Sequence, residues 1–242
     1  MTTDISLSRA SREMRLLVDE DLHSGTRLRG CYLHLQCKNS ELRQKRMSTV
    51  EGRALIRSYE DYRRYLQADR IALGVCSRWA FLYDEILQFQ RLLRKVEFLT
   101  NCKKNSVRRI IAVYRFRKIS IRLGFSIPIN VFGPGLAILH YGTIVVNSGA
   151  RIGSNCRIHT GVNIGAQLGK GSDVPKIGNN CYIGPGAKIF GGVEIGDNTA
   201  IGANAVVNKS FPDGNVTLGG IPARVISEKS TSGLFIHGDN SV

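Results

Sequence analysis

The side chains best suited to move a proton near neutral pH are imidazoles, and the chain has five: His23, His34, His140, His159 and His237. His140 and His159 lie in the most regular part of the sequence, so their places in its repeat bear on what they can do. The six cysteines, Cys31, Cys37, Cys76, Cys102, Cys156 and Cys181, contain no CxxC or CxxH pair. A reduced chain without a metal site is therefore expected.

The elements that must position these histidines show themselves as a period of six. Aliphatic residues recur at Val146, Ile152, Ile158 and Ile164, and again at Ile177, Ile183, Ile189, Ile195, Ile201 and Val207. Glycine follows the aliphatic residue at 153, 165, 178, 184, 196 and 202. The fifth slot is small or β-branched: Ala150, Cys156, Val162, Cys181, Ala187, Val193, Thr199 and Ala205. A three-sided coil of short parallel strands accounts for this pattern. One aliphatic side chain per side stacks on its equivalents roughly 4.8 Å away in the next coil. The small residue shares the interior, and glycine serves a corner that needs φ > 0 or close backbone approach. Cys156 and Cys181 are thus packing residues. Between Ile164 and Ile177 the step is 13, one hexad plus seven residues, so residues 168–175 form a loop thrown out of the coil, where binding often sits.

In this frame His159 takes a slot where other hexads have glycine, which predicts an exposed ring at a corner. His140 stands six residues before Val146, formally in the aliphatic column. There it is either a satisfied buried histidine or a group kept for chemistry.

The first half differs in kind. Residues 1–130 hold 26 basic and 13 acidic side chains and 5 of the 26 glycines, so a net +13 of the total +15 lies there. Helix-like spacing covers 8–22, 40–48, 56–72, 76–101 and 106–122. In the fourth segment an apolar face that includes Phe89 and Leu93 lies beside Arg91, Arg94 and Lys95. Pro128 and Pro134 then end helix formation. The basic run from Lys103 to Arg122 has two readings: the solvated face of a packed helix, or attraction for anionic ligands or a membrane surface. Nucleic acid is disfavoured. No stretch of 18 or more uncharged apolar residues exists, which argues against a spanning helix. The N-terminus lacks a signal-peptide core, so the cytoplasm is the default compartment. The fold expected is α+β: a helical N-terminal domain (1–124), a left-handed parallel β-helix with one protruding loop (125–228) and a tail (229–242).

The stretch GPGLAILHYGTIVVNSGARIG, then IHTGVNIG, the loop, VPKIGNNCYIGPGAKIFGGVEIG, IGANAVVNKSF and GIPARVIS closely resembles the serine O-acetyltransferase-like branch of the hexapeptide-repeat acyltransferases. That branch includes the serine enzymes and relatives that acetylate sugars of surface polysaccharides. The resemblance implies acetyl-CoA as acyl donor and no metal. It also implies a homotrimer with the donor in the cleft between two coils, and trimers that can pair. His140 falls on the family's general base. Gly165, Ala166, Lys176, Gly186, Ala187, Lys188 and Ala205 match its CoA-contact segments, and Lys170, Lys176, Lys188 and Lys209 are candidate phosphate partners. Asp69 matches an acceptor-binding aspartate only thinly, and His159 is a candidate supporting group. The pattern also departs from the serine enzymes. Where they carry aspartates, just before the histidine and about fifteen positions upstream, this chain has Leu139 and Phe125, and Val174 replaces a loop histidine. The implied activity is O-acetyl transfer to L-serine or to a sugar or polysaccharide hydroxyl. The rivals are a non-enzymatic trimeric scaffold with basic docking helices, and N-acetylation of an amino-sugar.

Overall fold

The computed structural model describes residues 55–77, 79–102, 107–169, 173–231 and 233–239. The expected helices at 8–22 and 40–48 lie outside these, and the described residues belong to one compact unit.

Three helices precede the coil: α1 (Tyr59–Ala72), α2 (Glu85–Cys102) and α3 (Val107–Leu123). Ser58 caps α1 in a reciprocal box, its hydroxyl accepting from the Asp61 amide while the Asp61 carboxylate accepts from the Ser58 amide. The fourth expected helix begins later than its spacing suggests. A single 3-10 turn at Ala80–Leu82 comes first, and α2 starts at Glu85, where the Asp84 carboxylate accepts from the Leu87 amide.

From Phe125 the chain forms strands of two to four residues in three sheets, wound as a left-handed parallel β-helix. Ile183 pairs with Ile201, and Val146 with Ile164, eighteen residues apart. Across the loop the interval is twenty-five, as in Ile158 with Ile183, so the coil continues in register around the extra seven residues. All ten expected aliphatics, Val146 through Val207, are at most 4% exposed. All eight fifth-slot residues are at most 5% exposed. An antiparallel pair, Thr217–Gly219 with Arg224–Ser227, closes the last coil. At the first coil Phe89 and Leu93 of α2 and Ile119 and Leu123 of α3 join one continuous core with Phe125, Leu136 and Ile138.

The corner glycines serve close approach. A Cβ on Gly184 would lie 2.7 Å from the Ile201 carbonyl oxygen, and Gly184 is not among the positive-φ residues. Left-handed backbone falls instead on the residue before the small slot, at Asn155, Asn180 and Asn198 with φ of 55 to 56°, a region asparagine tolerates. These side chains and that of Asn215 form a ladder, each Nδ2 donating 3.0 Å to the Oδ1 of the next coil. The tail docks on this column. Asn155 Oδ1 accepts from the Gly238 and Asp239 amides, Asn155 Nδ2 donates to the Asp239 carbonyl, and the Thr231 hydroxyl donates to the Asn180 carbonyl.

Candidate active site

His140 is not in the aliphatic column. The column position is held by Ile138, which pairs with Ile158, while its successor in the small slot is Ile144 opposite Val162. Val162 stands four positions after Ile158, but Ile144 stands six positions after Ile138. This corner thus carries two extra residues, and counting back by sixes from Val146 fails there. The insertion lifts Leu139-His140-Tyr141 off the prism, so His140 and Tyr141 are exposed.

The enlarged corner is pinned on both sides. Gln90 of α2 brackets its entry: Nε2 donates to the Leu136 carbonyl at 2.6 Å, and Oε1 accepts from the Ile138 amide at 3.3 Å. The Leu139 amide then donates to the Ile158 carbonyl, and on the far side the Gly142 amide donates to the Leu123 carbonyl at 2.9 Å. Gly142 has φ 126°, and a Cβ there would meet the Thr160 hydroxyl at 2.4 Å. Glycine is therefore required at the point where the corner touches the next coil.

His159 lies below it. The two imidazole centroids are 5.8 Å apart, and the Tyr182 ring stands edge-on to His159 at 5.1 Å. The expected exposure of His159 is not met: the residue is half-buried, and its Nε2 is sealed from solvent with no hydrogen-bond partner among the described residues. Burial lowers its pKa below the usual histidine value, and the neighbouring His140 and Arg157 lower it further. It is thus neutral at pH 7. Among the described residues no hydrogen bond or ion pair links either imidazole to a carboxylate. Arg157, on the same face, donates from Nη2 to the Ala72 carbonyl at the end of α1 and stacks on the Phe235 ring of the tail at 5.0 Å.

This environment sets a pH dependence. The unfolded chain takes up a proton at about pH 6.5, while folded His159 resists it. The unfolded state therefore binds more protons as pH falls, and stability drops on acidification. Comparing melting temperatures at pH 7.5 and 5.5, we expect the drop to be smaller in His159→Gln than in the parent. Equal drops would mean that the ring's burial has no such effect.

The remaining candidates separate into groups. Lys188 is half-buried and donates its ammonium to the Gly161 carbonyl at the corner carrying His159. Gly186, with φ 72°, occupies the same corner one coil on, its amide donating to the Thr160 carbonyl. Gly165 and Ala166 are half-buried on the coil surface before the loop, and Lys176 is exposed after it. Lys209 is exposed with its ammonium over the Phe211 ring, whereas Lys170 lies outside the described residues. Ala187 and Ala205 are 0% exposed, with their Cβ atoms in the interior column. Their small size is required by the core, which leaves their backbone groups as the part that can meet a pantetheine arm.

Asp69, expected as an acceptor-binding or supporting group, lies in the scaffold behind the site. It is 2% exposed, both its oxygens bind the Arg94 guanidinium, and Oδ1 also accepts from the Gly135 and Leu136 amides. It thereby holds the strand that leads to His140. Sequence reading missed Gln90, Arg157 and Tyr182. For the last two a signal existed, because the residue before each inward aliphatic must face outward.

Residues 175–209 match the family model described as bacterial transferase hexapeptide (six repeats). A serine acetyltransferase of Synechococcus elongatus is 41% identical over 96 residues, 39% of this chain and 38% of that protein. The chain spans 38% to 52% of the length of such curated relatives. Among solved structures, a serine acetyltransferase in complex with CoA is 30% identical, with a TM-score of 0.53 over 69% of this chain and 68% of that one. A serine O-acetyltransferase with the bacterial transferase hexapeptide repeat from Brucella melitensis is 32% identical, with a TM-score of 0.56 over 71% of this chain and 70% of that one. With that identity over more than two thirds of a solved relative, on the same coil, the chain belongs to the serine O-acetyltransferase-like branch of the hexapeptide-repeat acyltransferases.

Proposed function

We propose that this chain transfers the acetyl group of acetyl-CoA to an acceptor hydroxyl, with His140 as general base. The observation that carries the reading is the two-residue enlargement of one corner, which puts an imidazole into solvent beside a second, neutral one while the inward columns of the following coils keep their register. The donor is acetyl-CoA because a solved relative is a complex with CoA. It lies in the cleft between coils of neighbouring protomers in a trimer, against the outward surface of Gly165, Ala166, Gly186 and Lys188.

The chemistry needs no group beyond these. The neutral His140 ring accepts the acceptor's hydroxyl proton as its oxygen attacks the thioester carbonyl. The tetrahedral intermediate collapses, the C–S bond breaks, and the imidazolium returns the proton to the CoA sulfur. His159, uncharged and with its Nε2 sealed from solvent, stands beside His140 as a supporting ring.

L-serine is the acceptor that the relatives' names suggest. A sugar hydroxyl is favoured by a different observation. Leu139 is half-buried, and Phe125, 4% exposed, is core. Neither can supply the carboxylate that would hold a serine ammonium group. Release of free CoA thiol, with L-serine and with a hexose oligosaccharide as separate acceptors, decides between them. Turnover with serine alone supports the first, and with the sugar alone the second. No turnover together with no calorimetric binding of CoA would overturn the enzyme reading in favour of a scaffold.

A further inference from the structure

Helix α3 is packed on one side only. At 100° per residue, Ala112, Ile119 and Leu123 share the face turned to α2 and the first coil, and they are at most 6% exposed. The opposite pole is also apolar: Ile110, Tyr114 and Ile121 stand on one line, 67%, 66% and 78% exposed, and Val107, 71% exposed, continues it. Arg117 flanks this stripe on one side and Lys118 on the other, with Arg122 and Arg115 further round. The helix contains no acidic residue. Beside Arg115 a groove of about 360 Å³ brings in Arg91 and Lys95 of α2 together with the exposed Leu82. Arg122 is paired with Glu85 of α2 at 3.0 Å.

We propose that this outer face of α3 docks on an anionic lipid surface. A second copy of the helix would set its cations against like charges, with no carboxylate on either helix to receive them. Nucleic acid would satisfy the cations but offers nothing that buries Ile110 and Ile121. An anionic bilayer takes both at once. The aliphatic stripe enters the boundary between headgroups and acyl chains, and the flanking cations reach the phosphates. At about 25 Å for its seventeen residues, the helix lies in the membrane plane. Among the described residues no helix is long and apolar enough to cross, so attachment is peripheral and reversible. The inference is independent of the acetyl-transfer reading.

The test is co-sedimentation of the full chain with phosphatidylcholine vesicles and with mixed phosphatidylcholine–phosphatidylglycerol vesicles, at low and high salt. Binding is expected only with phosphatidylglycerol and is expected to weaken with salt. Arg117→Gln and Lys118→Gln should each lower the partition coefficient about fivefold. Ile121→Glu should lower it at least as much without altering circular dichroism, because the residue is exposed. Equal binding to both vesicle types, or unchanged partition of Ile121→Glu, would overturn the proposal. So would a fall in oligomeric mass of Tyr114→Glu if the parent binds no vesicles, since that would assign the stripe to a second copy of the chain.

Discussion

Replacing His140 by alanine is expected to lower acetyl transfer by roughly 10²–10⁴-fold, the usual contribution of a positioned general base, while leaving the fold unchanged. The ring is exposed and takes no part in the core. The corner is held instead by Gln90, by the Gly142 amide and by the ladder to Ile158. Removal of the imidazole therefore deletes chemistry and spares architecture. Three measurements separate these effects: thiol release for the rate, a CoA titration for donor affinity, and a melting temperature for the fold. The expected pattern is a large fall in kcat, little change in CoA affinity and an unchanged melt. Gln90→Leu offers a contrast, since it leaves the imidazole in place but frees the strand before it. Parent-like turnover by His140→Ala would remove the base assignment.

How far the site could be read in advance depended on whether its residues obeyed the six-residue period. From Val146 to Val207 the spacing alone placed every inward side chain, because each coil repeats the same local constraints and none of them depends on distant residues. The same rule misplaced His140. Its corner has two extra residues, and only the pairing of Ile138 with Ile158 reveals them. Two buried features had no periodic signal at all. The tail docks through asparagines whose left-handed backbone fits a corner, yet a lone segment such as Phe235–His237 gives no hint of its partner. Arg94 sat beside Arg91 and Lys95 in what read as a charged face, but it is 0% exposed. Apart from Glu97, three residues on in the same helix, its partners are Asp69 and residues 132 and 133, separations at which no local pattern operates.

Arg94 is where the largest loss of stability is expected. All five of its N–H groups are used: Nε and Nη2 on the Asp69 carboxylate at 2.8 and 3.2 Å, Nη1 on Glu97 at 3.0 Å and the Phe132 carbonyl at 2.9 Å, and Nη2 also on the Gly133 carbonyl at 2.6 Å. The Glu97 carboxylate accepts in turn from the Asn130 amide at 2.7 Å. One guanidinium thus joins α1, α2 and the segment that enters the coil ahead of His140. Burial raises the pKa of both carboxyls, and the Arg94 charge pulls it back down. Arg94→Met would leave two buried carboxylates facing two orphaned carbonyls, a change that costs about 3–5 kcal/mol, readable as a fall in the urea midpoint. Arg94→Lys keeps the charge but lacks the planar fork, so an intermediate loss is expected. A second readout concerns pH. Without the guanidinium the folded carboxyls hold protons more tightly than the unfolded ones, so the variant should regain stability as pH falls from 7.5 towards 5. A deficit that stays constant over this range, or a midpoint within about 1 kcal/mol of the parent, would mean that the carboxylates are satisfied without Arg94. In that case the three backbone amides at Asn130, Gly135 and Leu136 would be sufficient to hold the entry to the coil.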